Sequence, residues 1–161
     1  MLRVAVFSDT HGCVDGMTAA VERERPDVVL HLGDHDRDAA ILRRLFPTLP
    51  VFTVCGNCDG ASSAPLSRVV ELGPVKAFLT HGHAHGVRRG IDTLVYAAQE
   101  AGAQLALFGH THIPMNTALG GVQVLNPGTA GSGFDLTWAL VSVYDNGGIA
   151  CEIRPITTDE A

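Results

Sequence analysis

The chain has 161 residues, 46% hydrophobic and 17% charged, which is enough apolar material for one domain, expected to span residues 1–161. A net charge of -6 argues against a broad surface for nucleic acid or anionic membrane. Because no apolar run has the length of a membrane helix and the apolar N-terminal stretch is too short for a signal peptide, we expect a cytoplasmic protein. Four scattered cysteines are interpreted as reduced thiols.

The N-terminal part of the chain predicts a β-α-β unit. Residues 3–8 and 28–32 predict two buried strands, and apolar residues at helical spacing lie between them. Asp9 and His11 follow the first strand, and Asp34 follows the second after a glycine that lets the backbone bend. Since the two strands are expected to be parallel, these three side chains should face one crevice.

Asp34 has two interpretations at this stage. It is our candidate for a carboxylate that bridges two metal ions, but it could instead cap the helix that apolar residues 41–45 predict just after it. His35, Asp36 and Asp38 complicate the choice, because any of them could cap that helix while Asp34 turns inward.

Residues 51–54 predict a third short strand, which delivers a polar loop to the same edge. We interpret Asn57 as a neutral oxygen ligand, with Cys58 and Asp59 beside the reaction centre. Cys55 and Cys58 also form a Cys-x-x-Cys pair, which suits a redox or zinc site. That alternative is weaker, because no second pair exists and no thioredoxin-like helix clearly begins there.

Residues 68–72 and 75–80 predict two strands joined by a Gly-Pro turn, which changes the topology from parallel to mixed. Three histidines then alternate with small residues. His81, nearest the strand end, is expected to be a metal ligand. His83 is expected to contact substrate, and His85 is expected to be solvated.

Apolar spacing over residues 91–98 predicts a helix, and residues 105–108 predict a buried strand too short for a helix. His110 and His112 follow that strand, two residues apart, at the edge where open α/β sheets bind their ligands. The turn from Asn126 to Thr129 is expected near the site. Three further strands are predicted over residues 122–125, 137–143 and 149–153.

Seven side chains at these strand ends offer oxygen and nitrogen donors without a thiolate. They are Asp9, His11, Asp34, Asn57, His81, His110 and His112. Such donors suit Mn²⁺, Fe, Zn²⁺ or Ni²⁺ more than Mg²⁺ or Ca²⁺, and seven are too many for one tetrahedral ion. Two ions about 3.5–4 Å apart, sharing Asp34, would hold a hydroxide at neutral pH and clamp a phosphate during in-line attack. Arg88 and Arg89 could contact a phosphate, but they are interpreted as surface residues.

Several ordered motifs resemble those of the calcineurin-like metallophosphoesterases, and in particular the YfcE-type phosphodiesterases. They are Asp9-x-His11, Gly33-Asp34, Gly56-Asn57-x-Asp59, His81-Gly82-His83, Gly109-His110-Thr111-His112 and Asn126-Pro127-Gly128. The resemblance covers nearly the whole chain. It implies an α/β fold, a four-layer α-β-β-α sandwich of two mixed sheets flanked by helices, and a phosphodiesterase that acts on a small-molecule phosphate ester.

The resemblance also implies the ligand sets. One ion would be held by Asp9, His11, Asp34 and His112, and the other by Asp34, Asn57, His81 and His110. The expected ions are two Mn²⁺, with Ni²⁺, Fe or Zn²⁺ as alternatives, and a bridging hydroxide would attack phosphorus.

One position departs from the broad superfamily. Most members carry a histidine after the Gly-Asn, where it can protonate the leaving oxygen, whereas this chain, like the YfcE-type proteins, has Cys58. A thiol of ordinary pKa suits that proton transfer poorly, so departure would rely on Asp59, on His83 or on an activated leaving group.

The alternative function is a non-catalytic protein-binding scaffold of the same fold, as in the retromer subunit, which lacks part of the ligand set. This chain retains all seven positions, which favours an enzyme. The resemblance is compatible with a homodimer or a higher homo-oligomer.

Overall fold

The computed structural model describes residues 1–60 and 62–157 of the expected domain, so its last residues, 158–161, lie outside the described part. The strands are β1 Leu2–Phe7, β2 Val28–His31, β3 Val51–Thr53, β4 Ser67–Leu72, β5 Val75–Thr80, β6 Leu105–Leu107, β7 Met115–Leu119, β8 Val122–Asn126, β9 Thr137–Val143 and β10 Ile149–Pro155. The helices are α1 Asp15–Glu24, α2 Asp38–Leu45 and α3 Asp92–Glu100, and a 3₁₀ turn covers His83–His85.

The strands form two mixed five-stranded sheets. The first has the order β10-β9-β1-β2-β3, and the second has the order β4-β5-β6-β8-β7. Strands β1, β2 and β3 are parallel in the first sheet, as are β5, β6 and β8 in the second. The remaining neighbours pair antiparallel. The predicted hairpin is confirmed, and it belongs to the second sheet.

Alternation along the strands produces the layers, because successive side chains of a strand point to opposite faces. In β1, Val4 and Val6 pack in the core between the two sheets, whereas Ala5 and Phe7 pack beneath α1 and α2. In the second sheet, β6 divides in the same way between the central core and α3. The predicted four-layer α-β-β-α sandwich is confirmed.

This topology gathers the carboxyl ends of the parallel strands. Helices α1 and α2 connect the parallel strands of the first sheet, and α3 connects β5 to β6. The backbone N–H of Gly109 donates to the His81 carbonyl at 2.9 Å, and the N–H of Asp9 donates to the Gly33 carbonyl at 2.9 Å. Neighbouring loops are therefore fastened to one another just beyond the strand ends.

The fold adds one strand that the sequence did not predict, and it decides between the two interpretations of Asp34. Strand β7 was not predicted, because all five of its residues are exposed and it carries no alternating apolar pattern. Asp34 does not cap α2, which begins four residues later, and neither Arg37 at the N-cap nor another described side chain caps that helix. Instead, the carboxylate of Asp38 in its first turn accepts the N–H of Gly12 at 2.8 Å.

Among the residues that the structure describes, no helix combines the length and apolar character needed to cross a bilayer. All four cysteines are free thiols.

Candidate metal centre

The loops at this edge have an unusual backbone. Of the non-glycine residues with positive φ in the described chain, all but Arg25 lie here: Asp9, His11, Asp34, His35, His110 and His112, with φ between 49° and 69°. Residues with side chains rarely adopt this left-handed conformation, and such residues concentrate at functional sites. The backbone therefore turns sharply at five of the seven predicted ligands.

Two glycines permit close approach of the loops. A Cβ atom at Gly56 would collide with the carboxylate and the backbone N of Asp34. A Cβ atom at Gly109 would collide with the Ser8 hydroxyl and press on the Asp9 carboxylate. The glycines of these two motifs are thus required because neighbouring loops leave no room for a side chain.

Four of the predicted ligands form one tight group. Asp9, His11, Asp34 and His112 each offer a ligand atom, and these atoms all lie within 4.8 Å of one another. The His112 Nε2 atom lies 3.2 Å from Asp9 Oδ1, and His11 Nε2 lies 3.7 Å from Asp34 Oδ2. Two carboxylates and two imidazoles in this arrangement could hold a divalent metal ion.

The other three predicted ligands lie beside this group. The His81 Nε2 atom is 3.4 Å from Asp34 Oδ1, and the His81 and His110 rings are 5.1 Å apart. His110 Nδ1 is 3.2 Å from Asn57 Oδ1. All seven predicted ligands are therefore brought together, and His81 approaches Asp9 Oδ1 at 3.8 Å as well as Asp34.

Three polar atoms at the centre are buried without a hydrogen-bond partner among the described residues: Asp9 Oδ1, His11 Nε2 and His81 Nε2. Leaving a buried polar atom unpaired is costly, and native proteins rarely do so without a reason. The three atoms lie close to one another in the site. This donor set therefore fits bound metal ions.

Outer hydrogen bonds orient these ligands. His81 Nδ1 lies 2.7 Å from the Leu32 carbonyl, which can only accept, so Nδ1 carries the proton and Nε2 faces the carboxylates. Ser8 Oγ donates to Asp9 Oδ2 at 2.6 Å. The fully buried Asn126 donates to the Gly109 carbonyl at 3.1 Å, so the predicted turn does lie against the site.

The pKa values of the central groups follow from burial and from these neighbours. Burial would raise the pKa of Asp34, but the close approach and the charge of His81 hold that pKa below its ordinary value. Burial would lower the pKa of His81, yet Asp34 and Asp9 together raise it. Burial raises the pKa of Asp9, against the attraction of His81. His81 and Asp34 thus favour each other's ionised form, whereas a metal ion bound at His81 would require the neutral imidazole.

Asp59, a predicted catalytic residue, has a different role in the structure. One of its carboxylate oxygens accepts the N–H of His35 at 2.6 Å and that of Asp36 at 3.2 Å, and the other accepts the N–H of Gly56 at 2.7 Å. Three backbone donors thus occupy both carboxylate oxygens and fasten two loops together. This geometry argues against Asp59 as the proton donor to a leaving group.

Cys58 and His83 both lie beside the candidate ligands. The Cys58 N–H donates to Asp34 Oδ1 at 3.0 Å, while burial, followed by the charge of Asp34, raises the pKa of the Cys58 thiol. The His83 ring lies 5.6 Å from that of His81 and 6.1 Å from that of His110. Burial lowers the pKa of His83, so the ring is neutral at neutral pH.

Two residues are placed differently from expectation. His85 was predicted to be solvated, but it is half-buried and packs edge-on against Phe78 at 5.6 Å. Arg88 was left out of the site, yet its Nε atom donates to His110 Nε2 at 3.0 Å. Nothing in the local sequence distinguishes Arg88 from Arg89, so only the fold reveals this contact.

Comparisons with known proteins agree with this geometry. Residues 2–146 match the calcineurin-like phosphoesterase superfamily domain. The probable metallophosphoesterase YsnB of Bacillus subtilis is 33% identical over 131 residues, which cover 80% of this chain and 75% of that protein. A phosphodiesterase of Methanocaldococcus jannaschii is 25% identical over 144 residues, covering 79% and 83%.

A solved structure of lower sequence identity shares the same fold. Wild-type Vps29 of Entamoeba histolytica, solved in complex with zinc, matches with a TM-score of 0.75 at 22% identity, covering 97% of this chain and 100% of that one. The family match spans most of the chain and includes every candidate ligand. The chain therefore belongs to the calcineurin-like phosphoesterase superfamily.

Proposed function

We propose that this protein is a phosphodiesterase that uses two divalent metal ions. The position of Asp34 is the observation that supports the proposal most directly. Its Oδ2 atom faces His11 at 3.7 Å, and its Oδ1 atom faces His81 at 3.4 Å. A carboxylate with a different imidazole near each oxygen, buried among unpartnered donor atoms, suits a ligand shared by two ions.

The residues divide into two ligand sets around Asp34. Asp9, His11, Asp34 and His112 would hold one ion, and Asp34, Asn57, His81 and His110 would hold the other. Bound there, the ions would supply a hydroxide at neutral pH and neutralise charge on the phosphate oxygens. We expect Mn²⁺, with Ni²⁺, Fe or Zn²⁺ as alternatives that suit the same donors.

The residues around the ligands govern the leaving group. Asp59 is engaged by three backbone N–H groups, and the thiol of Cys58 keeps its proton because its pKa is raised. His83 is neutral, and its ring lies near the rings of two candidate ligands, His81 and His110. Neither Cys58 nor His83 is therefore well suited to donate a proton at neutral pH. We therefore expect substrates that need little protonation of the departing oxygen, such as aryl diesters, to react fastest.

The test is hydrolysis of bis-p-nitrophenyl phosphate by metal-stripped protein, with Mn²⁺, Ni²⁺, Mg²⁺ or Zn²⁺ added back. The parent should regain turnover with at least one ion, and His110→Ala and Asn57→Ala should each lose about 100-fold or more. His85→Ala is the matched control from the same histidine loop and should retain activity.

The alternative is a protein-binding scaffold of the same fold. It becomes the better explanation if elemental analysis finds two bound ions and no metal restores turnover. The presence of all seven candidate ligands supports the enzyme instead.

A further inference from the structure

A cavity of about 580 Å³ opens beside the candidate metal centre. Cys58 and His35 line it, and both also contact the ligands. The Cys58 N–H bonds to Asp34, and the His35 ring lies 5.4 Å from the His11 ring. The cavity therefore lies next to the centre, and its volume lies in the range of small-molecule sites.

Three arginines line this cavity from two sides. Arg37 is the N-cap residue of α2, and Arg43 lies in the last turn of that helix. Ala40 lies between them and leaves the space open. Arg68 comes from β4, where its guanidinium lies 5.0 Å above the Phe52 ring in a cation-π contact that limits its motion.

The charge of this surface is positive although the whole chain carries -6. None of the three guanidinium groups forms an ion pair with a carboxylate in residues 1–60 or 62–157. The wall also carries two acidic residues, which bond to other groups than the arginines: Asp36 accepts the Ser62 hydroxyl, and Asp59 accepts backbone N–H groups. Arg43 does donate to the Val51 carbonyl at 2.8 Å, which fixes its guanidinium on the wall. Arginines without a carboxylate partner are well suited to phosphate, which they bind with two parallel hydrogen bonds.

We propose that this cavity binds a second phosphate group of the substrate. The inference rests on the proposed function, and it narrows the substrate class to diesters whose retained alcohol carries a further phosphate. Arg37 and Arg43 are roughly 9 Å apart along α2, since a helix rises about 1.5 Å per residue. Because both arginines line the cavity, it extends along α2 over a length that a sugar-sized spacer between two phosphates would fill.

The kinetic test compares two esters that release the same p-nitrophenolate. One is the p-nitrophenyl ester of thymidine 5′-phosphate, and the other is the same ester with a phosphate on the 3′ oxygen. The parent should prefer the 3′-phosphorylated ester by about tenfold or more in kcat/KM, and Arg37→Gln and Arg68→Gln should each remove most of that preference. Arg44→Gln, from the same helix but outside the cavity, should keep the preference.

A binding measurement separates this inference from the proposed function. Calorimetry with thymidine 3′,5′-bisphosphate and metal-stripped protein should give an affinity about tenfold weaker in the Arg37→Gln/Arg68→Gln variant than in Arg44→Gln. Arginine-dependent binding without turnover of either ester would uphold the cavity and reject the phosphodiesterase. Turnover of both esters at equal rates, with equal affinities in all variants or with no binding, would overturn the cavity proposal.

Discussion

The residue at position 58 determines how easily the leaving group can be protonated in the proposed reaction. It follows Asn57, at the position where most superfamily members carry a histidine able to protonate the leaving oxygen. Its N–H holds Asp34, and its thiol has a raised pKa because of burial and the charge of Asp34. At neutral pH the thiol is thus a much weaker acid than an imidazolium, and leaving-group departure should limit the rate for alkyl esters.

Replacing Cys58 by histidine should therefore help poor leaving groups selectively. We expect Cys58→His to raise turnover of alkyl or unactivated phenyl esters by about tenfold or more, and to change p-nitrophenyl esters little. The measurement is a plot of log kcat/KM against leaving-group pKa, which should be steep in the parent and shallower in the variant. Cys58→Ala is the control and should stay as steep as the parent. A plot equally shallow in the parent and Cys58→Ala would contradict this account.

Strand β2 ends on a histidine that is not a candidate ligand. His31 is fully buried, and its Nδ1 atom accepts the N–H of Gly33 at 3.2 Å. The proton is thus on Nε2, which donates to the Thr10 hydroxyl, 2.9 Å away in the loop after β1. A neutral imidazole therefore fastens two neighbouring site loops. Burial lowers the pKa of His31 from 6.5 to about 4, despite the opposing charges of Asp38 and Asp59.

This buried histidine predicts a pH-dependent stability. Below pH 6.5, His31 binds a proton in the unfolded chain. In the folded chain it binds this proton only near pH 4. The contribution of neutral His31 to the free energy of unfolding is therefore complete above pH 6.5. It falls as the pH decreases, by at most about 1.4 kcal/mol per pH unit and by about 3 kcal/mol in all. Urea unfolding of metal-stripped parent and His31→Gln, from about pH 7 to about pH 4, should show a steeper loss in the parent. Identical slopes would exclude this role for His31.

At the scale of the whole molecule, the candidate centre joins the two sheets. Loops of the first sheet carry Asp9, His11, Asp34 and Asn57, and loops of the second carry His81, His110 and His112. Without metal, the direct links across this edge include the His81 bond to the Leu32 carbonyl and the contact of His81 with Asp34. Metal ions bound there would tie the sheets together at the end where their loops are most strained.

Metal should consequently stabilise the entire fold. At a free Mn²⁺ concentration about 100-fold above its dissociation constant, the free energy of unfolding should rise by about 2.7 kcal/mol. For a chain of this size that corresponds to a melting temperature higher by about 5–10 °C, measured against chelator-treated protein. His112→Ala should lose most of the shift, and His85→Ala should retain it. An equal shift in His112→Ala and the parent would show that the ion binds elsewhere.

Local patterns in the sequence determined most strands and the whole candidate ligand set. Apolar runs with polar residues at their ends predicted β1, β2, β3 and β6, because a buried strand and a loop differ in composition over only a few residues. Parallel connections then required those ends to meet at one edge. The seven side chains could be named without coordinates for this reason.

Tertiary structure decided what depends on residues far apart in the chain. Local chemistry allowed Asp34 to be a helix cap, and only the fold places His11 and His81 at its two oxygens. Two other arrangements likewise join distant segments. Arg88 contacts His110, and Arg68 lines the same cavity as Arg37 and Arg43. An exposed arginine or an exposed edge strand such as β7 leaves no periodic apolar pattern, so its partners are set by how the two sheets and their loops pack.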